Sequence, residues 1–253
     1  MTDGLYHALS TSHDRGGGNN PFRVAFGYAF QEYIGELLKA GSGPAVVLGE
    51  WPYGSKGQKR NTPDWMVLDG QRLVVIEVKQ SALTLNSKML GRSDLMAADL
   101  EKTLAEGARQ LLKFRDDVQA KGRGLERLAG VAEIELLLIT HDEIPWANWI
   151  MRNTIARRVP GASQIHFCSV DDFENLQRYC WGTPLFQLLK SKREGADDAH
   201  MHDFREWLFA LGTPMTPNHP LLANAFEELV ASWGASSANN PKATDPPSEA
   251  SPQ

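Results

Sequence analysis

The sequence predicts an α/β sandwich. Three observations point to it: the chain opens on an amphipathic helix, its centre reads as a β-hairpin, and strand-like and helix-like segments are interleaved from there on.

The first helix spans residues 21–40. Phe22, Phe26, Phe30, Tyr33, Ile34, Leu37 and Leu38 recur at spacings of three and four, Pro21 suits a first turn, and Gly41 closes the pattern. A short strand follows in "PAVVLGEW", and "PYGSKGQKRNT" reads as a basic loop. "PDWMVLDGQRLVVIEVKQ", residues 63–80, carries two apolar runs around Asp69-Gly70, the signature of a hairpin. Residues 94–121 form a long helix with Leu104, Ala108, Leu111 and Leu112 on one stripe, Asp94 near its start and Lys121-Gly122 at its end.

"EIELLLITHD" is a buried strand, "IPWANWIMRNTIARRV" a helix and "SQIHFCSV" another strand. The helices "DDFENLQRYC", "PLFQLLKSKR", "HDFREWLFAL" and "HPLLANAFEELVASW" complete the pattern. The domain expected is therefore 21–233, with a C-terminal helical portion from about residue 141. Residues 1–20, ending in "GGGNN", read as a flexible lead-in, and the Ser- and Pro-rich residues 234–253 as a disordered tail.

Composition excludes several classes. Cys168 and Cys180 have no C-x-x-C partner, so neither a disulfide framework nor a zinc site is expected, and a reducing cytoplasmic setting fits. No stretch approaches the length of apolar sequence that crosses a membrane, and no leader pattern is visible. Neither Gly-rich nucleotide-binding fingerprint occurs. The net charge of -5 hides an asymmetry: residues 1–125 hold 16 Lys and Arg against 14 Asp and Glu, so the half with the hairpin is the basic one. His141, Asp142 and Glu143, like His200, His202 and Asp203, lack a metal spacing and read as turn and helix-start residues. Trp146, Trp149, Trp181 and Trp207 fall in helical segments and are expected to pack in the core.

The hairpin carries charges that a core strand has no reason to hold. Side chains alternate across a strand, so Val75, Glu77 and Lys79 face one way and Val74, Ile76 and Val78 the other. A carboxylate and an ammonium on a sheet face are costly unless they pair, bind metal or reach a wet cleft. Asp64, at the start of the antiparallel strand before, can bring a second carboxylate to that cleft. Two carboxylates with a backbone carbonyl, that of Val78, are the hard oxygen donors Mg²⁺ prefers.

Pro63-Asp64 followed by Glu77-x-Lys79 resembles the motif of the PD-(D/E)XK nuclease superfamily, over about residues 22–140. The resemblance implies a restriction endonuclease-like α/β/α sandwich with a central mixed sheet. It implies Asp64, Glu77 and the Val78 carbonyl as ligands of Mg²⁺, with Mn²⁺ as a substitute, and Lys79 as the residue that holds the attacking water. "GYAFQEYIG" is similar to the superfamily's acidic first helix and offers Glu32, with Glu36 one turn away. "EGARQLLKF" looks like the RecB-like pattern and offers Gln110 as a contact to phosphate or to Lys79, with Phe114 where that pattern has Tyr. Lys56, Lys59 and Arg60 in the basic loop, with Lys88 and Arg92 further on, are candidates for tracking a phosphate backbone.

The function implied is a divalent-metal-dependent endonuclease acting on DNA, suited to bacterial defence, restriction or mobile-element biology, as a homodimer or with partner proteins of a defence complex. The competing expectations are a non-catalytic binding or scaffold subunit that keeps the fold, and an RNA-directed nuclease.

Overall fold

A computed structural model describes residues 20–80, 93–144, 146–179, 183–195, 199–212 and 221. Helix α1 (Pro21–Gly41) leads into β1 (Val46–Gly49), a small hairpin of β2 (Pro52–Tyr53) and β3 (Arg60–Asn61), and the strands β4 (Trp65–Asp69) and β5 (Arg72–Lys79). Helix α2 (Ser93–Gln119), β6 (Glu133–Thr140), α3 (Ala147–Asn153) and β7 (Ile165–Ser169) follow. The helices α4 (Val170–Tyr179), α5 (Leu185–Glu194) and α6 (Phe204–Ala210) come last. The lead-in 1–19, Cys180, Trp181, Lys88, Arg92, residues 213–220 and everything beyond Leu221 lie outside the described residues.

The strands order as β1-β4-β5-β6-β7, one mixed five-stranded sheet. The first two pairings are antiparallel and the last two parallel. The β4–β5 turn is the two-residue loop Gly70-Gln71, because Asp69 pairs with Arg72, and Gly70 takes φ +60, which glycine adopts without strain. Alternation then sorts the side chains. Met66, Leu73 and Val75 pack on one face with Leu104, Ala108, Leu111 and Phe114 of α2. Trp65, Val67, Val74 and Ile76 pack on the other with Phe30, Ile34, Leu37 and Leu38 of α1 and with the apolar faces of α4 to α6. The result is the α/β/α sandwich the segment order predicts.

Asn20 caps α1 by accepting from the Phe22 N–H at 2.9 Å, ahead of a proline at the first helical position. The helix is keyed to the sheet by Trp65, whose indole N–H donates to the Gln31 carbonyl at 2.8 Å. Gly35 makes room for that ring: a Cβ there would lie 2.1 Å from Trp65 Cζ2. Gly35→Ala is expected to cost about 3 kcal/mol of stability even after its better helix propensity, since neither the ring nor the helix can retreat. Urea denaturation checks this, and a change below about 0.5 kcal/mol would refute the close packing.

Three expectations change. The segment "PYGSKGQKRNT" is a β-hairpin and not a plain loop, with Pro52 and Tyr53 paired to Asn61 and Arg60. Of the four tryptophans, Trp207 is buried, but Trp146 and Trp149 are 70% and 50% exposed. The helix over 144–159 is shorter than its apolar spacing suggests. Trp146 sits before it in left-handed backbone, and α3 ends at Asn153, before a short 3₁₀ turn over Ile155–Arg157.

Candidate active site

The sheet register assembles the site. Gly49 pairs with Trp65 and Trp65 with Ile76. One step further along the same register, Glu50 and Asp64 lie just past the ends of β1 and β4, in line with Glu77 of β5. Alternation puts them on one face as well: Leu48, Met66 and Val75, two residues away in each strand, all pack on the α2 side. Glu50, Asp64 and Glu77 line a single cavity of about 430 Å³ with Thr62, Gln110 and Lys113.

Each charged group there has a defined partner. The Val78 N–H donates to Asp64 Oδ2 at 2.7 Å. Lys79 Nζ donates to Glu77 Oε1 at 2.8 Å and to Gln110 Oε1 at 2.7 Å. Gln110 thus reaches from α2 to fix the ammonium. In an extended strand successive backbone groups point to opposite sides. The Lys79 carbonyl accepts from His141 N–H on the β6 side, so the Val78 carbonyl and N–H both face the β4 side, where Asp64 lies.

The electrostatics are unbalanced. Burial, then the nearby Glu77 charge and, more weakly, Glu50, push the Asp64 carboxyl up to about 7, against the Val78 hydrogen bond and Lys79. Burial likewise raises Glu77, opposed by Lys79 and reinforced by Glu50 and Glu106. Lys79 is the ammonium paired to Glu77 in this row of three carboxylates, while Arg60 and Lys113 line the wall of the same cavity. Among the described residues no group of three or more His, Cys, Asp or Glu side chains is arranged to hold a metal ion. The row offers Asp64 and Glu77 with the Val78 carbonyl on the same side, hard oxygen donors that could take a hydrated divalent cation and that lack the charge such a cation would bring.

Glu32 does not join them. It is exposed on α1, whose apolar stripe docks on the opposite face of the sheet, and Glu36 pairs with Lys39 at 2.7 Å on the solvent side. The third acid is Glu50. It had a sequence signal, because the alternation of Leu48 in "VVLGE" continues onto it. Phe114 is buried and meets Tyr53 edge to face at 5.7 Å. Lys56 and Lys59 are exposed on the β2–β3 hairpin, and Arg60 lines the cavity rim.

No protein-family model matches the chain, and no curated protein matches it. Among solved structures, the chain is similar to the small subunit of a heterodimeric restriction endonuclease. The two are 14% identical, with a TM-score of 0.39, over 84% of this chain and 98% of that one. No helix among the described residues is long and apolar enough to cross a membrane.

Proposed function

We propose that the chain is a divalent-metal-dependent nuclease that hydrolyses phosphodiester bonds of DNA. The observation that carries the reading is the Asp64–Glu77 row with Lys79 fixed between Glu77 and Gln110. Asp64, Glu77 and the Val78 carbonyl would hold a Mg²⁺ ion, with Mn²⁺ as a substitute, which would supply Lewis-acid chemistry at the phosphate and at a water.

The chain's own groups do the rest. The Lys79 ammonium has three donors, two of which go to Glu77 and Gln110, leaving one for the attacking water. That donor would orient the water and stabilise the hydroxide formed as its proton passes to solvent; the hydroxide oxygen then bonds to phosphorus while the opposite P–O ester bond breaks, and the departing oxygen takes a proton from solvent. Glu50 adds negative charge beside Asp64, Arg60 lines the cleft where a phosphate backbone would run, and Lys56 and Lys59 are exposed on the same hairpin. The choice of DNA follows the resemblance to the PD-(D/E)XK nucleases.

A second reading, a non-catalytic nuclease-fold subunit, is favoured by one observation: Val78 N–H and Lys79 each already engage one oxygen of the two carboxylates. One experiment separates the two. Purified protein is incubated with plasmid, linear and single-stranded DNA and with RNA, in Mg²⁺ or Mn²⁺ and in EDTA. The nuclease reading expects cleavage that EDTA abolishes; binding with no cleavage of any substrate would leave the scaffold.

A further inference from the structure

We infer that the active-site cleft continues into a phosphate-binding subsite built by Arg60, Lys113 and Arg123 around the Tyr53 hydroxyl, which takes a backbone phosphate flanking the reacting one. The inference rests on the reading of the chain as a nuclease and adds where the strand runs.

The acidic cavity has a neighbour. A second cavity of about 220 Å³ is lined by Tyr53, Ser55, Gln58, Arg60, Lys113 and Arg123, together with Asp117. Tyr53, Arg60 and Lys113 also line the acidic cavity, so the two share a wall and form one groove. Its floor changes sign along its length. Glu50, Asp64 and Glu77 occupy one end, while the other brings two cations, Arg60 and Lys113, to Asp117, with Arg123 on the same wall beside Glu126. An anionic strand is attracted at the second end and needs a cation's help at the first.

Asp117 prepares this end. Its Oδ2 accepts from the Tyr53 hydroxyl at 2.9 Å and from Arg60 at 3.4 Å, and its Oδ1 from Lys113, one helical turn earlier. Burial works against the charge, but the bonds from Lys113 and Tyr53 hold the Asp117 carboxyl below the usual range. Both oxygens are thus engaged by the donors they orient. Arg60 and Lys113 remain 53% and 52% exposed, with most of their N–H groups free to meet a phosphate. Asp117 is a positioning residue.

The wall is stiff. Gly54 N–H donates to the Arg123 carbonyl at 2.8 Å, and the Trp51 indole N–H donates to the Gly124 carbonyl at 3.0 Å. Gly124, at φ +87, lets the backbone pass Tyr53 so closely that a Cβ would lie 3.1 Å from Tyr53 Cα. The β2–β3 hairpin is therefore fastened to the turn after α2, and the three cations, far apart in sequence, are held as one set.

The test is fluorescence anisotropy on the full chain in EDTA, with a short single-stranded DNA, a duplex DNA and an RNA as probes, over a salt series. Lys113→Ala/Arg123→Ala is compared with wild type and with Lys121→Ala/Arg127→Ala, an exposed basic pair that lines neither cavity. The double variant is expected to weaken binding of the preferred probe roughly tenfold or more and to reduce the salt slope by about two, while the control pair changes little. An unchanged affinity and slope, a loss no larger than the control's, or a wild type that binds none of the probes overturns the subsite. Binding that depends on Lys113 and Arg123 in a protein that cleaves nothing would keep the subsite and reject the nuclease reading.

Discussion

Lys79→Ala is expected to lower the proposed Mg²⁺-dependent cleavage by about a thousandfold, the scale expected when a single preorganised donor at a reacting centre is lost. Affinity for nucleic acid stays within about twofold, because Lys79 is one cation beside a basic wall made by others. Its side chain is 20% exposed and its ammonium is held by Glu77 and Gln110 at 2.8 and 2.7 Å, so water cannot simply replace it. Arginine will not rescue the loss, since a planar fork cannot occupy the place of a compact point charge between two acceptors. Lys79 is also what opposes the rise of the Glu77 carboxyl. Without it Glu77 takes up a proton at higher pH, so the acid limb of any residual activity moves upward in pH. A variant that cuts as fast as wild type, or that loses binding in proportion to rate, would remove Lys79 from the chemistry.

Much of this geometry follows from a rule with a period of two. Alternation in "LVVIEVKQ" places Glu77 and Lys79 together, and the Asp69-Gly70 turn signal brings Asp64 back beside them. The long helix carries Gln110 to Lys79 because Leu104, Ala108 and Leu111, on its apolar stripe, set which side faces the sheet. What sequence could not supply was nonlocal. Glu32 sits on the first helix where an acid was expected, but which sheet face α1 covers depends on the pairing of Trp65 with Gly35 and Gln31, and no local pattern encodes that. Glu50 was legible in principle, one alternation beyond Leu48, yet its importance depends on β1 being the neighbour of β4. Paired runs of two residues, such as Pro52-Tyr53 and Arg60-Asn61, are too short to show any period. The exposed Trp146 and Trp149 show the same limit: helical spacing reports a face and not what covers it.

Asp64→Asn is expected to make the metal-free protein more stable above neutral pH while it removes cleavage. The sign follows from proton binding. Unfolded, Asp64 titrates near the ordinary value of about 3.9; folded, burial and Glu77 raise it to about 7. Between those values the native state holds a proton that the unfolded chain has released, so stability falls as pH rises through that window, and the loss is complete above about pH 7. Three units at about 1.4 kcal/mol each set an upper scale near 4 kcal/mol, and because Asp64 shares the cost with Glu77, about 2 kcal/mol is expected. Asparagine is neutral throughout and its side-chain oxygen can still accept from Val78 N–H, so the variant and wild type should have similar stability near pH 4 and diverge toward pH 8. A divalent cation closes the gap from the other side. Saturating the wild type at a hundred times its dissociation constant adds about 2.7 kcal/mol, whereas the variant, short of one ligand, gains less. Urea unfolding with and without Mg²⁺ at both ends of that range measures all four states. Parallel pH curves for the two proteins, or an equal response to Mg²⁺, would mean that Asp64 neither bears the buried charge nor holds the ion.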